Sequence, residues 1–153
     1  MRIFPWLKKK AIFSEEENRQ IVEAIQKAEQ QTSGEVRIFV ESRCKYVEAV
    51  DRAQEIFFSL KMSETELRNG TLVYVAIKDR QAAVFGDQGI HEKVGYRYWK
   101  DTVDGMLLHF RNEKLIDGLC QGIHDLGQAL KLYFPYNSET DKNELPDEIV
   151  FGR

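Results

Sequence analysis

From Leu72 to Ile77 every side chain is apolar or aromatic, and Asn69-Gly70 stands just upstream. The run Thr71 to Ile77 is too short for a helix. Because it is apolar at every position and not at every second one, it predicts a strand buried on both faces of a sheet. Such a strand needs covering layers on both sides, and this requirement organises the rest of the chain. Lys78-Asp79-Arg80-Gln81 is a polar turn, and Ala82 to Phe85 reads as the returning strand of a hairpin. Gly86-Asp87-Gln88-Gly89 then sets a carboxylate between glycines, just before a helical pattern. Antiparallel pairing brings Gly86 to Gly89 back beside Arg68-Asn69-Gly70, which is where a site is expected first.

The covering layers are legible on either side. Ser14-Glu15-Glu16-Glu17 is a capping box, and Ile21, Val22, Ile25 and Ala28 follow at helical spacing, predicting a helix from about Glu15 to Gln30. Thr32-Ser33-Gly34 stops it, and Glu35 to Glu41 alternates as a strand with Val36, Ile38 and Val40 on one face. A second helix is expected from near Lys45, with a stripe of Tyr46, Ala49, Val50, Ala53, Phe57 and Leu60. Strand, helix, strand at this separation is a β-α-β unit, so the first two strands should be parallel.

Downstream, a helical turn over Ile90 to Val94 breaks at Gly95. A long amphipathic helix follows, carrying Trp99, Val103, Met106, Leu107 and Phe110. The last helix is expected from about Ile116 to Tyr133, where Gly118, Gly122 and Gly127 imply close packing on a neighbour. The fold expected is α/β, a three-layer α/β/α sandwich around a small mixed sheet. Residues 1–12 read as a basic and aromatic tail, 13–135 as a single domain, and 136–153 as a polar tail that docks little.

At 153 residues the chain suffices for one domain with a sizeable core. The 42% hydrophobic and 31% charged fractions belong to a soluble globular protein. A net charge of −3 gives no basis for nucleic-acid binding. Cys44 and Cys120 belong to no Cys-x-x-Cys pair and read as buried, inert thiols of a reducing compartment. No run of ~18 apolar residues exists to span a membrane. The N-terminus has no apolar segment of a secretory signal, so the expected location is the cytoplasm. Phe4, Trp6 and Leu7 beside Lys8, Lys9 and Lys10 would give residues 1–10 at most a weak peripheral contact with an anionic membrane surface.

The stretches Thr32 to Ile38, Arg68 to Val75 and Gly86 to Ile90, with Phe110 to Leu130, resemble the TPM domain family in order and spacing. The resemblance covers about Phe13 to Phe134 and implies a Rossmann-like α/β/α sandwich. It also implies divalent-cation binding, calcium in particular, and a weak acid-phosphatase activity. Here Gly-Asp-Gln-Gly stands where the family commonly has a Gly-Tyr-Gly form.

Given that resemblance, Asp87, Glu35, Asn69 and Gln88 are the candidate ligands of a calcium-like cation, since carboxylate and amide oxygens suit a hard ion. Arg68 and the backbone at Gly89, near a helix start, are the candidates for an anion such as phosphate. The same residues fit a structural role equally well: Asp87 as a helix cap, Glu35 paired with Arg68, Asn69-Gly70 as a turn. A second constellation, Glu41, Ser42, Arg43, Asp79 and Arg80, lies at the opposite end of the strands. His91 is the one histidine near the first site; His109 and His124 read as ordinary helix residues. Two functions follow as expectations. One is a cation-binding domain acting through an unidentified protein partner. The alternative is a metal-assisted phosphomonoesterase in which Asp87 binds the metal or attacks phosphorus. No catalytic residue is assigned, and Arg68 is the one obvious phosphate clamp.

Overall fold

The apolar run forms the strand β2 (Gly70–Ala76), all of whose residues are buried. The computed structural model describes residues 12–137 and 148–152, and the remaining elements are assigned within them. Segment 1–10 lies outside these residues, as do 138–147 of the polar tail. In chain order the elements are α1 (Glu15–Glu29), β1 (Glu35–Glu41), α2 (Ala49–Ser59), β2, β3 (Gln81–Gly86), α3 (Gln88–Arg111), α4 (Leu115–Tyr133) and β4 (Val150–Phe151).

The sheet order is β3-β2-β1-β4. β1 and β2 are parallel with Glu35 opposite Gly70, and β3 returns antiparallel with Gly86 opposite Thr71. Alternation then splits the strands between two cores. Val36, Ile38 and Val40 join Val73, Val75, Ala82 and Val84 under α1, α3 and α4. Phe39, Leu72, Tyr74, Ala76 and Ala83 face α2 through Ala53, Ile56 and Phe57. Helices on both faces of a mixed sheet make the expected three layers.

α1 begins as predicted: the Ser14 side chain accepts from the Glu17 N–H, and Glu17 closes the box by accepting from Ser14. α2 departs from expectation. It starts at Ala49 and not near Lys45, because residues 43–46 are held in a loop: the Cys44 N–H donates to Asp79 Oδ2 and the Tyr46 hydroxyl to Glu55. Its buried stripe runs Ala53, Ile56, Phe57, while Val50 is exposed. β2 ends at Ala76, leaving Ile77 half-buried in the hairpin turn.

Gly95 sits at φ 79° and breaks α3 where the sequence predicted. Gly122 and Gly127 lie against Met106 and Ala28, so α4 approaches both neighbours closely. β4 was not legible as a strand. It adds a parallel pairing to β1, with Val150 opposite Phe39, and Phe151 meets Phe13 edge-on at 5.9 Å between ring centroids. Cys44 and Cys120 are free thiols, half-buried and not fully buried as expected; burial raises the Cys120 pKa. No helix among the described residues is long and apolar enough to cross a membrane.

Candidate functional site

The hairpin delivers the predicted juxtaposition at the backbone level. Arg68-Asn69-Gly70 is gripped from two sides: the Glu35 N–H donates to the Asn69 carbonyl at 3.3 Å and the Asp87 N–H to the Gly70 carbonyl at 2.9 Å. The Gly89 N–H donates to the Arg68 carbonyl at 2.8 Å. A Cβ at Gly89 would stand 2.2 Å from the Leu67 carbonyl oxygen, so only glycine allows the start of α3 to press on this loop. The Gly89 N–H, expected to face an anion, is therefore engaged within the protein.

Asp87 is the N-cap of α3. Its Oδ1 accepts from the Gln88 N–H at 2.8 Å. Arg68, in left-handed backbone conformation at φ 52°, grips the same carboxylate with two bonds, Nε to Oδ2 at 2.7 Å and Nη2 to Oδ1 at 2.8 Å. The bond to Asp87 raises the Arg68 pKa further. The pair is lopsided toward solvent: the Asp87 side chain is 3% exposed and that of Arg68 44%. Arg68 thus pairs with Asp87 and not with Glu35.

The other candidates are spread along this edge. Glu35 is buried at the start of β1, and its carbonyl accepts from Thr71 Oγ1 at 3.0 Å. Asn69 is buried and donates to Ser33 Oγ at 3.4 Å, while its Oδ1 has no hydrogen-bond partner among the described residues. Gln88 is exposed and donates to Glu92 at 3.0 Å. Among the described residues no group of three His, Cys, Asp or Glu is placed to hold a metal ion. The oxygen-rich donor set suits a hard cation in kind, but an ion at Asp87 has to displace Arg68 first.

His91 is the exposed histidine of this edge. Its Nδ1 accepts from Trp99 Nε1–H at 2.8 Å, so the neutral ring carries its proton on Nε2. Beside it runs a groove of about 400 Å³ whose floor is Val84, Phe85 and Gly86, with Arg68 and Asp87 at one end. Sequence reading missed this groove, because its walls come from residues far apart in the chain, Val50 and Phe58 of α2 and Tyr96 and Trp99 of α3. The available signal was Val50 and Phe58, apolar residues that α2 leaves exposed.

At the opposite end the second constellation assembles in part. Arg43 Nη1 donates to Asp79 Oδ1 at 3.0 Å. Glu41 is buried and held by Arg52 through Nε and Nη2, each at 3.0 Å, and by the Tyr74 hydroxyl. Burial alone would raise the Glu41 pKa, but the Arg52 and Tyr74 hydrogen bonds outweigh it and the net direction is downward. Burial, with the Glu41 bond, drives the Tyr74 phenol upward. Arg52 and Tyr74 were not singled out from the sequence, although a phenol inside an apolar strand calls for a partner at its tip.

A family model described as the TPM domain matches residues 7–129. The chain is similar in structure to the BA42 protein of the psychrophilic bacterium Bizionia argentinensis, solved by NMR. The two share 39% identity at a TM-score of 0.85, over 95% of this chain and 99% of that one. The N-terminal domain of the cg2496 protein from Corynebacterium glutamicum shares the fold, with 11% identity and a TM-score of 0.57 over 78% of this chain and 74% of that one. No curated protein matches the chain.

Proposed function

The chain belongs to the TPM domain family, and we propose that it works as a binding module whose loop end takes a divalent, calcium-like cation in competition with Arg68. One observation carries this reading. Among the described residues, the buried carboxylate of Asp87 is paired with one half-exposed guanidinium on a loop, a group that can swing into water when a stronger charge arrives. Asp87 would supply the charge for the incoming ion. Asn69, with its free amide oxygen, and the nearby Gln88 and Glu35 are the oxygen donors at hand. The ion's contribution is charge and a reorganised loop end, which a partner protein then reads.

Binding is preferred to turnover on the same geometry. A phosphomonoesterase gathers several acids beside a phosphate clamp, whereas at this edge Arg68 is the one clamp candidate and is committed to Asp87 until an ion arrives. A calcium titration followed by backbone NMR tests the reading. Saturable shifts centred on residues 68–70 and 87–90, abolished in Asp87→Asn, are expected. Shifts that ignore this edge, or that persist unchanged in Asp87→Asn, would overturn it.

A further inference from the structure

The groove straddles the outer strand β3, with Val50 and Phe58 of α2 on one wall and Tyr96 and Trp99 of α3 on the other. Phe58 is 49% exposed and Tyr96 70%, so both rings hold apolar surface in water. A volume of about 400 Å³ is that of a pocket for one small molecule.

Parts of the lining are fixed before anything enters. A Cβ at Gly86 would stand 2.4 Å from Trp99 Cζ2, so the glycine that ends β3 is what lets the indole lie there. The indole N–H donates to His91 Nδ1 at 2.8 Å, which sets the ring's orientation. Phe58 stands edge-on to Phe85 at 5.9 Å between centroids, continuing the floor up the opposite wall. Rings already held in place lose little freedom when a flat apolar body is inserted beside them.

The strand beneath narrows the choice of occupant. The Asp87 N–H bonds to the Gly70 carbonyl, so the backbone groups of Ala82, Val84 and Gly86 face away from β2. These three residues are buried, and β3 therefore presents no open row of donors and acceptors to an added strand. An occupant is recognised through side chains, which suits a small molecule better than a length of polypeptide.

The charge of that molecule follows from the polar end. Of the five N–H donors of a guanidinium, Arg68 spends two on Asp87. The carboxylate of the pair is buried and the guanidinium is half-exposed, so the charge presented at this end is positive. Aromatic walls alone would accept a cation or a neutral ring. Beside Arg68 they favour an anion, and a carboxylate matches the fork of a guanidinium.

We infer that the groove binds a small aromatic carboxylic acid, its ring among Phe58, Phe85 and Tyr96 and its carboxylate on the spare donors of Arg68. The inference is independent of the cation reading, since Arg68 stays on Asp87 while its remaining N–H groups hold the acid.

The test titrates hydrocinnamate, its amide and the matching primary amine against the whole protein, followed by backbone NMR. EDTA removes any cation contribution, and at about pH 7 the acid is ionised. Saturable shifts of Val84 to Asp87 and of the Trp99 indole N–H are expected with the acid. The amide should bind about tenfold more weakly, and the amine more weakly still. Phe58→Ser and Tyr96→Ser should each weaken the acid about fivefold, with circular dichroism verifying that both fold. Folded Arg68→Gln should bind acid and amide alike. No saturable shift up to about 10 mM acid, equal affinity of acid and amide in the wild type, tightest binding of the amine, or undiminished binding by both serine variants would overturn the proposal. Shifts of the same signals with protein concentration alone would place a second copy in the groove and overturn it as well. Because the titration is run without cations, its failure would leave the calcium reading untouched.

Discussion

Asp87 and Arg68 divide their work by exposure. The carboxylate is buried, caps a helix and depends on its partner, whereas the guanidinium can fall back on water. Truncation should therefore be asymmetric. Arg68→Ala strands the buried charge of Asp87 and is expected to lower the urea-unfolding midpoint more than Asp87→Ala does. Asp87→Ala loses the cap and should cost about 1 kcal/mol. Equal and negligible losses would show the pair to be ornamental. Glu41 gives a pH prediction of definite sign. Its folded pKa lies below its ordinary value, so its stabilisation is complete above the ordinary carboxylate range near about pH 4.3. It is lost as the pH falls through the lowered folded value. The stability difference between the wild type and Glu41→Gln, followed by urea titration, should shrink on acidification below about pH 4. A difference independent of pH in that window would remove Glu41 from the acid response.

At the scale of elements, two glycines of α3 serve different ends. Gly89 is required by contact, because a Cβ would meet the carbonyl oxygens of Leu67 and Arg68 at 2.2 and 2.6 Å. Gly95 is required by backbone conformation alone, since φ is 79° and a Cβ there would have no neighbour within 4 Å. Gly89→Ala should destabilise by about 2–3 kcal/mol and disturb the Arg68 loop. Gly95→Ala should cost about 1–2 kcal/mol and leave that loop's NMR signals in place. The sequence announced both glycines, and it announced β1, β2 and β3 through their apolar patterning. It could not announce β4, since two residues carry no periodicity and the strand exists only because β1 has an edge to offer. The late start of α2 was equally hidden: Asp79 and Glu55 hold the preceding loop, and neither lies in the segment that they restrain.

On the scale of the whole molecule, parallel pairing of β1 with β2 and antiparallel return of β3 fix which residues meet at each end of the sheet. That much of the candidate site could be reasoned from order alone, and Glu35, Asn69 and Asp87 do share one edge. The partners of their side chains could not. Arg68 had two carboxylates at that edge, and its two-bond pairing with Asp87, made from a residue in left-handed conformation, has no signature in the sequence. The groove was likewise beyond reach, because α2 and α3 bring its walls together from opposite faces of the sheet.

The competition between Arg68 and a divalent cation is the claim on which the functional account rests, and one comparison reaches it directly. Calcium affinity is measured by calorimetry for the wild type and for Arg68→Gln, with folding of both verified by circular dichroism. Removing a positive charge from beside Asp87 should tighten binding, by about tenfold or more. Unchanged or weaker calcium binding in a folded Arg68→Gln would contradict the account and leave Asp87 and Arg68 as a helix cap and its counter-ion.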